Sequence, residues 1–169
     1  MSRGMTAVIQ GIEEKQPETV PELFKVAATH QIPVYCLGAA PGVAQRAIDN
    51  VSAQVGALNI AGIHDGFFDS AEEQEIIKSI AESKAKLVFV ALGVPKQEQW
   101  IAEKLSHLDG VVAIGIGGSF DVLAGNIPRA PEWMQQNRLE WLYRLYLEPQ
   151  RIGRMLAIPK FMWTVIRNK

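Results

Sequence analysis

Two polar clusters stand directly after apolar runs in the middle of the chain. Lys96, Gln97 and Glu98 follow Leu87–Leu92 and the turn at Gly93 and Pro95. Gly117, Gly118, Ser119, Phe120 and Asp121 follow Val111–Ile116. At such a position Lys96 or Gln97 points into a crevice, where a side-chain amide can fix a sugar hydroxyl. Asp121 can either cap a helix or accept a ribose or sugar hydroxyl. Gly38-Ala39-Ala40-Pro41-Gly42 and Gly115–Gly118 offer close backbone approach with amide donors nearby, a chemistry suited to phosphate or pyrophosphate. A glycine turn between strand and helix is also often only a turn. Neither run is a G-x-G-x-x-G, and no P-loop lysine motif occurs, so a dinucleotide-binding fingerprint is missing.

A third cluster, His64-Asp65-Gly66-Phe67-Phe68-Asp69, places two carboxylates and an imidazole in one loop. No second group of ligand-type residues has metal spacing. The better readings are nucleotide contact by Asp65 and Gly66, with Phe67 or Phe68 stacking on a base, and helix capping by Asp69. A fourth set, Arg144, Arg151 and Arg154, is spaced by seven and three, close to one helical face although Pro149 interrupts it. It reads either as a solvated basic face or as a clamp for pyrophosphate, which guanidinium binds bidentately.

These residues need elements to hold them. Runs apolar on both faces belong in a buried parallel sheet, and ligands of such sheets bind outside the carboxyl ends of the strands. Strands are expected at Pro33–Leu37, Leu58–Ile63, Leu87–Leu92 and Val111–Ile116, with a weaker one within Met5–Ile12. Helices are expected from Thr19, with Pro21 in its first turn and Val20, Leu23, Phe24 and Ala27 inward. Further helices follow Pro41, with Ala44, Ala47, Ile48, Val51 and Val55 inward, and Pro95 as far as Leu105. Another starts at Ser70, where Ser70 and Glu73 read as a capping box over a buried face of Ile76, Ile77, Ile80 and Ala81. Four β-then-α units in succession predict an α/β fold: a three-layer, Rossmann-like domain with a mostly parallel sheet. After Pro131 the alternation stops, and Trp133–Leu147 and Arg151–Ile166 read as helices broken near Pro149 and Pro159. The expected division is an α/β domain over 1–137 and a helical, basic appendage over 138–169.

The 169 residues are enough for one domain with a real core. The single cysteine, Cys36, lies in an apolar run, reads as a core hydrophobe, and excludes a disulfide scaffold. The start is too polar and short for a signal peptide, and no run reaches the roughly 18 apolar residues of a spanning helix. The net charge of −1 conceals an asymmetry. Residues 138–169 hold seven basic and two acidic side chains, a net of +5, which leaves −6 for the rest. A basic tail carrying Trp141, Tyr143, Tyr146, Phe161 and Trp163 points to an anionic partner. The expectation is peripheral attachment to an anionic membrane surface. The competing reading is that Trp141, Leu145, Ile152 and Phe161 finish the core.

At these residues the sequence resembles the WecG/TagA/CpsF glycosyltransferases. The resemblance rests on five ordered blocks: LGAAPGVA (37–44), HDGFF (64–68), ALGVPKQEQW (91–100), GIGGSFDVLAGNIPRAP (115–131) and LEWLYRLYLEPQRIGRM (139–155). It implies an inverting, metal-independent transfer of an N-acetylmannosaminyl or related sugar from a UDP-sugar donor. The implied acceptor is a lipid-linked N-acetylglucosamine on undecaprenyl pyrophosphate, at the cytoplasmic face of the bacterial membrane. The products implied are teichoic acid, common antigen or capsule. Carried over block by block, Gln97 matches the family's essential glutamine and Phe67 a position near the uracil. Asp121 matches the acidic residue of the GGxFD block, and Arg144, Arg151 and Arg154 match arginines closing over the phosphates. No cofactor, metal or nucleic acid is implied, and homo-oligomerisation is compatible with the sequence but not specified by it. The family's T-x-N-like segment and the aspartate proposed as general base find no match in Met1–Gln16. The expectation is therefore a shortened chain, whose activity is lost or is completed elsewhere. The alternatives carried with this reading are an inactive UDP-nucleotide-binding or regulatory domain and, disfavoured by the missing glycine fingerprint, an NAD-binding domain.

Overall fold

The computed structural model describes residues 7–9 and 19–128, with Pro131, Met134 and Tyr143 beyond them. The chain divides into two compact units, Met1–Pro128 and Arg129–Lys169. Met134 and Tyr143 are helical, and the Met134 amide donates to the Pro131 carbonyl at 2.8 Å. The rest of the two helices expected at Trp133–Leu147 and Arg151–Ile166, and the expected domain boundary after Asn137, lie outside the described residues.

The first unit alternates strand and helix throughout. The strands are β1 (Ala7–Ile9), β2 (Val34–Gly38), β3 (Ile60–His64), β4 (Leu87–Ala91) and β5 (Val112–Gly115). The helices are α1 (Thr19–Thr29), α2 (Val43–Val55), α3 (Ser70–Glu82), α4 (Lys96–Trp100) and α5 (Ser119–Leu123). A single π turn, Ile101–Leu105, prolongs α4, so the helix expected from Pro95 to Leu105 is present but widens at Trp100. The strands pair in parallel in the order β1-β5-β4-β2-β3.

The strand residues alternate between two cores. Val34, Cys36, Leu87, Phe89, Ile114 and Ile116 meet Val20, Phe24, Ala44, Ala47, Ile48 and Phe120 on one face. Tyr35, Leu37, Val88, Val90 and Ala113 meet Ile76, Ile80, Trp100, Ile101 and Leu105 on the other. This is the pleat at work: side chains at i and i+2 share a face. It puts α1, α2 and α5 on one side of the sheet and α3 and α4 on the other, the three-layer arrangement expected from the sequence. Phe24 and Phe89, with ring centroids 4.6 Å apart, join α1 to the central strand β4.

The layers determine where a crevice opens. From β2 the chain crosses over by α2 to β3, on one face and toward one edge. From β4 it crosses by α4 to β5, on the opposite face and toward the other edge. β2 and β4 are neighbours, so the connections leaving them diverge. Their carboxyl ends form the point of reversal at which such sheets take ligands.

Candidate functional site

Four turns line the carboxyl edge of the sheet, and backbone bonds tie three of them together. Gly38 ends β2 at φ +121°, and a Cβ there would stand 2.3 Å from the Ala91 carbonyl oxygen. Only glycine lets β2 and β4 run this close while leaving the sheet. Ala39, itself at φ +60°, donates its N–H to the Ala91 carbonyl at 3.0 Å. Its own carbonyl accepts from Gly66 N–H at 2.8 Å. Ala39 thus joins the turns after β2, β3 and β4 into one ledge.

Along the loop after β3, the Asp65 Oδ1 accepts from Phe67 N–H at 2.9 Å, and His64 Nδ1 lies 3.0 Å from the Asp65 carbonyl oxygen. This tight turn leaves Phe67 73% exposed, whereas Phe68 turns inward against His64 and Trp100. An apolar ring held out in water by a turn of its own making is a ready stacking surface. Lys96 Nζ lies 5.6 Å from the centroid of the Phe68 ring, a cation–π distance. Asp69 is the N-cap of α3: its Oδ1 accepts from Ala71 and Glu72 N–H, while Glu72 Oε2 accepts from Asp69 N–H. The capping box therefore begins one residue before the expected Ser70 and Glu73. The Asp69 carboxylate reaches both of these amides, and Glu73 is used elsewhere. Its Oε1 takes the Trp100 Nε1–H at 2.8 Å and its Oε2 pairs with Lys104 at 3.0 Å. The Lys104 ammonium, reinforced by the indole N–H, holds the Glu73 carboxyl below the usual glutamate range.

Gln97 departs from the expectation. Expected to reach into the crevice, it is 1% exposed and is the one buried polar side chain among the described residues. Its Oε1 accepts the buried Gly117 N–H at 2.9 Å, and its Nε2 donates to Glu98 Oε1 at 2.8 Å. Gly115 makes room for it, because a Cβ there would sit 2.6 Å from Gln97 Nε2. The physical reason is the tight turn after β5: with φ +50° at Gly117, its amide has no ladder partner and needs a side-chain acceptor. Gln97, after the Gly93 turn at φ +78°, supplies it. The turn after β4 is thereby bolted to the turn after β5.

Asp121 lies within α5 rather than at its cap, and its Oδ1 accepts from Asn126 Nδ2 at 3.2 Å. Asn126 Oδ1 is 3.4 Å from Arg46 Nη2, and Asn50 Nδ2 donates to the Leu123 carbonyl at 2.9 Å. These bonds fasten the turn after α5 to α2. Gly118 precedes α5 as its N-cap residue. Arg144, Arg151 and Arg154 lie outside the described residues. Among the described residues no group of three His, Cys, Asp or Glu side chains could hold a metal ion, and no helix is long and apolar enough to cross a membrane. Cys36 is no candidate nucleophile, since burial pushes its thiol far up. Two features went unread in the sequence: the Glu73–Trp100–Lys104 network and the carboxylate of Glu98. The adjacency of Glu98 to Gln97 was the signal for the second.

Fold and site define a doubly wound α/β domain whose carboxyl sheet edge carries four tight turns and one exposed aromatic ring, Phe67. The chain belongs to the Glycosyl transferase WecG/TagA/CpsF family, which it matches over residues 10–169. Three relatives carry the name N-acetylglucosaminyldiphosphoundecaprenol N-acetyl-beta-D-mannosaminyltransferase. That of Bacillus subtilis (strain 168) is 40% identical over 148 residues, 88% of this chain and 57% of the relative. That of Bacillus spizizenii is 42% identical over 137 residues, 80% and 52% of the two chains. That of Staphylococcus aureus (strain NCTC 8325) is 34% identical over 152 residues, 90% and 59%. The chain thus spans little more than half the length of these relatives.

Proposed function

We propose that this chain forms the UDP-sugar-binding part of a glycosyltransferase. It moves an N-acetylmannosaminyl or related hexosaminyl unit from a UDP-sugar onto N-acetylglucosamine carried by undecaprenyl pyrophosphate. The observation that supports this most is family membership joined to 40% identity with a relative so named, in a fold whose crevice has the right chemistry. In the reaction, the acceptor hydroxyl oxygen attacks the anomeric carbon, the bond from that carbon to the UDP oxygen breaks, and a general base takes the hydroxyl proton. Charge builds on the departing UDP, and fixed donors that meet it lower the barrier. The turns at Gly38 and Ala39, Gly66, Gly93, and Gly117 and Gly118 bring backbone to the nucleotide. Phe67 stacks on the uracil, and Asp65, Lys96 and Asp121 flank the ribose and sugar. Arg144, Arg151 and Arg154 neutralise the pyrophosphate. Gln97 acts through Gly117, as a positioning residue. The basic, aromatic segment 138–169 attaches the protein to the anionic inner face of the membrane, where its lipid substrate resides.

Titration calorimetry with UDP, UDP-N-acetylmannosamine and NAD, each with EDTA present, tests the binding half. Both uridine ligands bind and NAD does not. Affinity that vanishes with chelator, or a preference for NAD, overturns the assignment. Transfer of radiolabelled sugar to a lipid-linked N-acetylglucosamine acceptor tests the rest. Binding without transfer would leave a UDP-nucleotide-binding domain. Salt-sensitive sedimentation with anionic vesicles tests the attachment.

A further inference from the structure

Glu98 carries the one unsatisfied buried side-chain polar atom among the described residues. Its Oε1 accepts from Gln97 Nε2 at 2.8 Å, but its Oε2 is shielded from water and has no hydrogen-bond partner. Buried polar atoms are nearly always paired, and an unpaired one calls for an explanation. A carboxylate oxygen is only an acceptor, so what this atom lacks is a donor. The donors built around it are already used. Gln97 Nε2 is spent on Oε1, Gly117 N–H is spent on Gln97 Oε1, and Lys96 Nζ lies over the Phe68 ring. Glu98 as a whole is half-buried and belongs to α4, the helix that opens just past the turn ending β4. A cation is a poor answer, because hard cations collect several oxygen ligands and no such group is assembled among the described residues.

We infer that Glu98 Oε2 accepts a hydrogen bond from a hydroxyl of a bound sugar, making Glu98 a substrate-contacting residue that discriminates between sugars. This rests on the proposed function, and the sugar is that of the UDP donor or the N-acetylglucosamine of the acceptor. Two successive bonds hold the carboxylate in place. Oε1 is held by Gln97, and Gln97 is held by Gly117, so Oε2 is pre-positioned before any ligand arrives. Such a site rejects ligands that lack the matching hydroxyl, because its own oxygen is then left unpaired.

Glu98→Gln is the test. It keeps the size of the side chain, keeps an oxygen for Gln97 Nε2, and puts an NH₂ donor where Oε2 stood. UDP, UDP-N-acetylmannosamine, and a pyrophosphate-linked N-acetylglucosamine on a short lipid are titrated into wild type and variant by calorimetry. UDP affinity stays within about twofold, while one of the two sugar ligands weakens by about tenfold or more, and which one weakens identifies the source of the hydroxyl. Glu98→Asp, which keeps the charge but withdraws the oxygen by one methylene, gives the same split and serves if the glutamine variant does not fold. Unchanged affinity for both sugar ligands overturns the inference, and so does an equal loss for UDP and the sugar ligands. Wild type that binds no uridine ligand overturns the functional reading, and this inference with it. Wild type that binds normally beside an unaffected variant overturns this inference alone.

Discussion

Truncating Gln97 to alanine destabilises the domain, although the sequence places the residue at a strand end where polar side chains are usually free. The magnitude comes from what the side chain touches. Without Oε1, the buried Gly117 N–H loses its acceptor and costs about 1–3 kcal/mol. Loss of a buried methylene and amide, with the void they leave, adds on the order of 1 kcal/mol. The sum of about 2–4 kcal/mol is that of a core truncation. Gly115 provides an internal control of sign. Its backbone is not in the left-handed region, so alanine is permitted there. Its Cβ would, however, stand 2.6 Å from Gln97 Nε2, 3.0 Å from Cδ and 3.1 Å from Cγ. The glutamine cannot swing away without giving up Gly117 or Glu98, so Gly115→Ala alone costs about 1–3 kcal/mol through overpacking. With alanine also at position 97 the clash is gone, and the added methyl enters the vacated space in a residue better suited than glycine to a strand.

A double-mutant cycle by denaturant unfolding therefore gives a large favourable coupling: the double variant is more stable than the sum of the single losses by about 1–3 kcal/mol. Single losses that add within about 0.5 kcal/mol would refute the packing argument. A Gln97→Ala loss below about 0.5 kcal/mol would refute the hydrogen-bond argument, because exposed polar truncations fall in that range.

Two further predictions follow the same reasoning. Gly38→Ala forces a Cβ within 2.8 Å of three backbone atoms of Ala91 at φ +121°, whereas Gly56→Ala, at φ +93°, meets nothing within 4 Å. Thermal unfolding shows a loss of at least about 3 kcal/mol for the first and about 1–2 kcal/mol, from left-handed strain alone, for the second; equal losses would refute the close approach of β2 and β4. For Glu73 the folded carboxyl lies below its ordinary 4.5, so its stabilising contribution is complete above that pH and is lost as pH falls through the depressed value. The stability gap between wild type and Glu73→Gln is flat near neutrality and narrows below about pH 4.5; a gap that widens in acid would refute the pairing with Lys104.

The fold was legible because its signals are long and redundant. Val34–Leu37, Leu87–Leu92 and Val111–Ile116 are apolar on both faces, and in a chain that alternates them with amphipathic helices only a sheet covered on both sides satisfies them. Errors stayed at the ends. β3 begins at Ile60 rather than Leu58, and the capping box of α3 joins Asp69 and Glu72 rather than Ser70 and Glu73. Element ends are decided by one or two hydrogen bonds, which periodicity does not encode. β1 is recognisable as Ala7–Ile9 only through its pairing with β5, a contact made across about a hundred residues of sequence.

Where a candidate residue stands was legible in the sequence and what it touches was not, and Gln97 shows why. Periodicity located it just past a strand end, and residue type marked it as a group able to hold a hydroxyl. Neither could reveal that Gly115, 18 positions later, lacks a side chain so that the amide can enter, or that Gly117 turns its N–H toward it. The glutamine's partners come from another strand, and the strand order that makes β4 and β5 neighbours is a property of the whole sheet. Read with that order, the blocks PKQE and GIGG are two halves of one joint. One supplies the amide and the other the space and the donor. A backbone turn that would otherwise relax is fixed by this joint at the mouth of the crevice. Fixing it in advance matters because a turn ordered only on ligand binding would spend part of the binding free energy on its own ordering. The Gln97–Gly117 bond and the Gln97–Glu98 bond then answer one requirement of the proposed function: an edge that is to receive a nucleotide sugar must be rigid before the sugar arrives.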